Sequence, residues 1–171
     1  MQKTLTTLHL LCGKIASGKS TLAKEIAAQP NTVIIGEDDW LAHLFPGEIN
    51  TIEDYVRCAA NLRNVIGPHV TALLRAGVSV VLDIPANTVA TRKWMKSLLD
   101  GVPSEHLLHL LETTDADCMT RLRTRNAAGT HAFSVCDKDF EIITGHFVAP
   151  RQEEGFDIRE PFTTNVCFPR D

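Results

Sequence analysis

The run Gly13-Lys14-Ile15-Ala16-Ser17-Gly18-Lys19-Ser20, followed by Thr21, constrains this chain more than any other stretch. It has the form G-x-x-x-x-G-K-[ST], a loop that turns successive backbone N–H groups toward one phosphate. Its surroundings suit that reading. Thr4 to Cys12 reads as a buried strand, and Ser20 to Ala28 as a run of helix formers. Gly13 and Gly18 let the backbone turn inward, and the helix starting near Lys19 brings its positive end to the phosphates. Lys19 is expected to reach the β- and γ-phosphates, and the Ser20 hydroxyl to ligate Mg²⁺. Gly13 through Thr21 form the expected nucleotide-binding set.

The second strand is expected at Thr32 to Ile35, ending in Gly36-Glu37-Asp38-Asp39-Trp40. Ligands of parallel α/β sheets sit beyond the carboxyl ends of the strands. A carboxylate there, Asp38 ahead of Asp39, can take the proton of a substrate hydroxyl as it attacks the γ-phosphate. Asp38 would equally serve as the N-cap of the following helix, and the two roles are compatible. Val78 to Asp83 is a third strand whose terminal Asp83 suits the Mg²⁺ shell. Beyond it, Asn87 is open to two readings, a substrate hydroxyl or turn chemistry. Arg92 is likewise either an anion clamp or a surface charge.

Thr51-x-x-Asp54 resembles a capping box, opening a helix to about Ala76 that Gly67-Pro68 should kink or split. Arg57 and Arg63 on it read first as solvated charges, with the lining of a substrate cleft as the other reading. A helix is expected after Thr88, and a fourth strand at His106 to Glu112. Next comes a helix from Thr114, on which Arg121 and Arg125 share a face and Arg123 points elsewhere. With a further helix from Asp137 to Phe147, it forms an expected lid over about 114–150. Its arginines would neutralise charge on the transferring phosphoryl group. Phe162 to Phe168 reads as the last strand.

Net charge is −4 over 171 residues with no long basic run, which argues against a general nucleic-acid surface. The scattered cysteines include no C-x-x-C pair, so reduced thiols in a cytoplasm are expected rather than a disulfide framework. The N-terminus lacks the pattern of a signal peptide, and no apolar run approaches transmembrane length.

The glycine loop, Asp38-Asp39, Asp83 with Pro85-Ala86-Asn87-Thr88, and Arg121-x-x-x-Arg125-Asn126 together resemble the small P-loop kinases of the AAA_33 type. These are related to polynucleotide 5′-kinase, the zeta toxins and chloramphenicol phosphotransferase. The resemblance implies an α/β three-layer P-loop NTPase fold of nucleoside-monophosphate-kinase type. Its sheet would be mainly parallel and five-stranded, in order 2-3-1-4-5, with a helical lid, all in a single domain over 1–171. It further implies ATP with Mg²⁺, a base at Asp38, lid arginines at Arg121 and Arg125, and a hydroxyl acceptor. Polynucleotide kinases place an arginine three residues after the catalytic acid, and here that position is Leu41. A small-molecule acceptor is therefore expected ahead of a nucleic-acid 5′-end. A nucleotide-dependent ATPase or switch working through a partner protein is the other alternative. Oligomeric state is left open.

Overall fold

The computed structural model describes residues 5–129 and 131–160. Five strands form one sheet in the order β2-β3-β1-β4-β5, and every pairing is parallel. They are β1 (Thr6–Cys12), β2 (Thr32–Gly36), β3 (Ser79–Pro85), β4 (Ser104–Leu110) and β5 (Ile158–Arg159). The fifth strand follows directly on the polar stretch around Gly155. The strand expected at Phe162–Phe168 lies outside the described residues.

Parallel strands need crossovers, and helices supply them on both faces. The two-residue period of β1 and β3 sorts the side chains. Leu8, Leu10, Val80 and Leu82 join the larger core with Leu62, Ile66 and Val70 of α3 (Ile52–Arg75) and Met95 of α4 (Val89–Ser97). Leu11 and Val81 point the other way, onto Ala23 and Ile26 of α1 (Lys19–Ala27). The helix α2 (Glu37–Leu44) leaves the end of β2 directly. A third cluster, Cys118, Leu122 and Phe140, joins α5 (Asp115–Ala128) to α6 (Asp137–Gly145), with Ile15 and Ala16 of the glycine loop packed against it.

Local signals hold at several helix starts. Thr51 accepts from the Asp54 N–H, Thr88 from Thr91 N–H and Thr114 from Asp117 N–H. Gly67-Pro68 does not split α3, which runs unbroken for 24 residues. Pro68 sits on the exposed side, while Gly67 is buried where a Cβ would press to 3.3 Å from Leu98 of the α4 segment. The pair makes room for α4 instead of ending the helix.

Candidate active site

The site is assembled at the carboxyl ends of β1, β2 and β3. After Cys12 the backbone enters left-handed geometry at Ala16 (φ 59°) and Gly18 (φ 104°), and α1 begins at Lys19. Gly13 is packed tightly: a Cβ there would lie 2.6 Å from Ser17 Oγ and 3.0 Å from Leu111. The Lys19 ammonium donates to the carbonyls of Gly13 and Lys14, both at 2.7 Å. These bonds fold it back over the loop. Burial pushes its pKa down to about 8, although Asp83 and Asp38 are near enough to oppose that shift. Lys14 itself pairs with Asp115 at the start of α5.

Asp83, half-buried near the end of β3, lies beside Ser20 and Lys19. Burial raises its pKa. The Ser20 hydroxyl and the Lys19 charge pull it down, and Asp38 and Asp39 push it up. A serine hydroxyl beside a carboxylate at a phosphate loop is a hard-oxygen donor set of the kind Mg²⁺ takes.

Glu37, Asp38 and Asp39 all lie in the first turn of α2, where the helix dipole favours them. The N-cap is Gly36 and no side chain caps the helix, so the capping alternative for Asp38 does not hold. Asp38 Oδ1 accepts from the Tyr55 hydroxyl at 2.9 Å, and its Oδ2 lies 3.5 Å from His131 Nε2. Asp39 is exposed, and its backbone carbonyl is engaged by His43 Nδ1 at 2.6 Å.

Of the arginines on α5, Arg121 donates to the Ser17 carbonyl at 3.4 Å, against the glycine loop. Arg125, one turn on, is half-buried, feels the charge of Asp38, and has a buried Nε with no partner. Arg123 turns away to pair with Asp137 at 2.6 Å on the surface.

Two residues left open between readings, Arg92 and Asn87, find their partners within the chain. Arg92 does clamp an anion, but that anion is Glu154 of its own chain. Nε and Nη2 reach the carboxylate at 2.6 and 2.8 Å, while Nη1 donates to the carbonyls of Ala86 and Val148. With no exposed surface, Arg92 cannot meet a substrate. Asn87 likewise spends its amide on the loop, accepting from Gly13 N–H at 2.9 Å and donating to Gly13 O at 2.8 Å.

The structure also adds residues that the sequence reading passed over. Glu37 is buried and held by Arg63, with Nε to Oε1 at 2.8 Å and Nη2 to Oε2 at 3.3 Å. Arg63 is therefore no free surface charge. Tyr55 joins Glu37 to Asp38, and His131 approaches from the segment between α5 and α6. Glu37 could have been noticed as the first of a run of acids.

The AAA_33 family model, described as an AAA domain, matches residues 8–150. The chain belongs to the AAA_33 family. No curated protein matches its sequence. Among solved structures, this AAA_33 chain is similar to a candidate kinase from Chloroflexus aurantiacus J-10-fl, with TM-score 0.69 and 18 % identity over 84 % of this chain and 76 % of that one. It is similar to a chain of the Pnkp1/Rnl/Hen1 RNA repair complex, with TM-score 0.63 and 18 % identity over 83 % of this chain and 44 % of that one. The APS kinase CysC of Mycobacterium tuberculosis, solved with AMPPNP and APS, gives TM-score 0.58 and 17 % identity over 86 % and 84 % of the two chains. At these identities the likeness is one of fold. It is the fold of P-loop kinases.

Proposed function

We propose that this AAA_33 chain is a phosphotransferase that moves the γ-phosphoryl group of ATP to the hydroxyl of a small molecule. The observation that carries this is the placement of Asp38. It stands partly exposed in the first turn of α2, directly after β2, whose Gly36 pairs with Asp83, and Lys19, Asp83 and Arg125 are within range of its charge. The ATP phosphates would lie against the amides of Gly13 to Thr21, with Lys19 on the β- and γ-phosphates. Ser20 and Asp83 would hold Mg²⁺, which supplies charge neutralisation across the phosphates.

The acceptor O–H bond breaks as its proton passes to Asp38, the acceptor oxygen bonds to γ-phosphorus, and the bond from phosphorus to the bridging oxygen breaks to release ADP. Arg125, within range of the Asp38 charge, and Arg121, against the Ser17 carbonyl, would carry the charge spreading over the transferring oxygens. The α5–α6 unit, about 114–150, would act as the lid that carries them. Asp39, at the exposed rim, is open to acceptor contact. The free thiols Cys12, Cys58, Cys118 and Cys136 suit a reducing cytoplasm.

The test is transfer of label from γ-³²P-ATP into a fractionated metabolite extract, with Lys19→Ala and Asp38→Asn in parallel. A labelled organic species that disappears with Asp38→Asn, while that variant still binds ATP, is the expected result. Label found only as inorganic phosphate, equally in wild type and Asp38→Asn, would establish an ATPase or switch. Label on an added 5′-hydroxyl oligonucleotide would establish an end kinase.

A further inference from the structure

Asp38 does not stand alone. Arg63, half-buried, has its guanidinium 5.5 Å from the Trp94 ring centre and closes on buried Glu37 with two hydrogen bonds. One of the Glu37 oxygens, Oε2, also accepts from the Tyr55 hydroxyl at 3.0 Å, and the same hydroxyl lies 2.9 Å from Asp38 Oδ1. The Tyr55 ring is fixed edge-on against Phe133, 5.9 Å between centres. Trp94, Arg63, Glu37, Tyr55 and Asp38 thus form a continuous chain from α4 through α3 to the candidate base.

We propose that Tyr55 is the positioning residue of Asp38: its hydroxyl, anchored on the Arg63-bound Glu37, occupies Oδ1 and leaves Oδ2 as the oxygen that receives the acceptor's proton. This rests on the kinase reading above and adds a residue to it.

A phenol has one proton and here faces two carboxylates. Glu37 already takes two N–H donors from Arg63, so its charge is matched. Among the described residues no arginine is bonded to Asp38, and the Tyr55 proton is drawn to Oδ1. The geometry at the other oxygen agrees. His131 Nε2 stands 3.5 Å from Oδ2, while its Nδ1 lies between the N–H and the carbonyl of Phe133, at 3.2 and 3.1 Å. At 3.5 Å that contact is too long to be a full hydrogen bond, so Oδ2 keeps capacity for the acceptor. When Asp38 takes up the acceptor proton on Oδ2 and becomes neutral, Oδ1 remains an acceptor and the Tyr55 hydroxyl goes on donating to it. The carboxylate is then held in both of its protonation states without moving a heavy atom.

Tyr55 is the sole tyrosine of the chain, so it can be watched without any activity assay. Protein labelled with ¹³Cζ-tyrosine should give one resonance. It should shift in Asp38→Asn and again in Glu37→Gln, each of which alters a hydroxyl partner while keeping its shape. Tyr55→Phe, which keeps the ring against Phe133, should lower label transfer roughly ten- to hundredfold, as misplacement of a reacting group does. Its ATP KM should stay within about twofold, because no nucleotide contact is touched. A merely structural role would lower thermal stability and raise KM together.

A ¹³Cζ resonance indifferent to Asp38→Asn would overturn the contact. Full-rate transfer by Tyr55→Phe, beside wild-type transfer, would overturn the positioning role alone. Wild-type protein that moves no label to any acceptor would overturn the kinase reading, and the positioning role with it, while the resonance would still report the Tyr55–Asp38 contact.

Discussion

Asn87 grips the backbone of Gly13 on both sides, its Oδ1 taking the Gly13 N–H at 2.9 Å and its Nδ2 giving a hydrogen bond to the Gly13 carbonyl at 2.8 Å. The amide stands in for a strand neighbour just where β1 stops and the phosphate loop begins. Asn87→Ala should leave a buried N–H unpartnered, at a cost of about 1–3 kcal/mol. The loop should loosen with it. Differential scanning fluorimetry should show a lower Tm, and titration with AMPPNP a weaker Kd. An Asn87→Ala protein with unaltered nucleotide affinity would separate the clasp from the loop's function.

The two loop glycines should fail in different ways. At Gly18 a methyl group meets only Leu111 Cδ2, at 3.7 Å, but φ is +104°. Gly18→Ala should therefore cost about 1–3 kcal/mol of backbone strain with the loop's path otherwise kept. At Gly13 the added carbon falls 2.6 Å from Ser17 Oγ and 3.0 Å from Leu111. Gly13→Ala must displace the loop, and its loss of AMPPNP affinity should exceed that of Gly18→Ala. Paired binding and denaturation curves for the two variants check the order.

Arg92→Ala should be among the most damaging single changes outside the phosphate loop. It strips Glu154 of its partner and leaves the Ala86 and Val148 carbonyls without the donors they share. Removing one member of a buried pair typically costs about 3–5 kcal/mol. Urea denaturation should place Glu154→Gln close to Arg92→Ala, since the amide offers one acceptor to two N–H donors and leaves the buried guanidinium without its counter-charge.

Acid should destabilise the fold through His9. Its ring is buried and stacked on His109, Nδ1 lying 3.1 Å from His109 Nε2. Burial, with the charges of His109 and Arg159 added, lowers its pKa from 6.5 to about 4, and burial lowers His109 as well. The unfolded chain then binds more protons than the folded one between those values. Stability is complete above pH 6.5 and is lost as pH falls toward 4, by about 3 kcal/mol for His9 alone. Thermal melts from pH 7 to 4 should show this decline, and His9→Gln should flatten it.

The fold was legible because its signals are local. The glycine loop sits between an apolar run and a helix-forming run, and Thr51, Thr88 and Thr114 announce helix starts within three residues of themselves. The side-chain partners were not, because the chain separates them. Asn87 and Gly13 are 74 positions apart, and Arg92 and Glu154 are 62 apart. A polar residue after a strand looks the same in sequence whether it faces a ligand or braces a loop. Tyr55 counted only as an apolar position in the periodic face of α3. Its hydroxyl matters because α2 crosses above it, 17 residues earlier in sequence.

The Arg92–Glu154 pair also sets where this protein can be cut. The family match ends at residue 150, yet the carboxylate that neutralises a wholly buried guanidinium lies at 154. Lys96 reaches further, to the carbonyls of Glu154 and Gly155. A fragment trimmed to the family boundary would bury an orphaned positive charge beneath the turn that carries Asn87. A fragment that keeps this pair whole must extend past the family boundary, at least through Gly155.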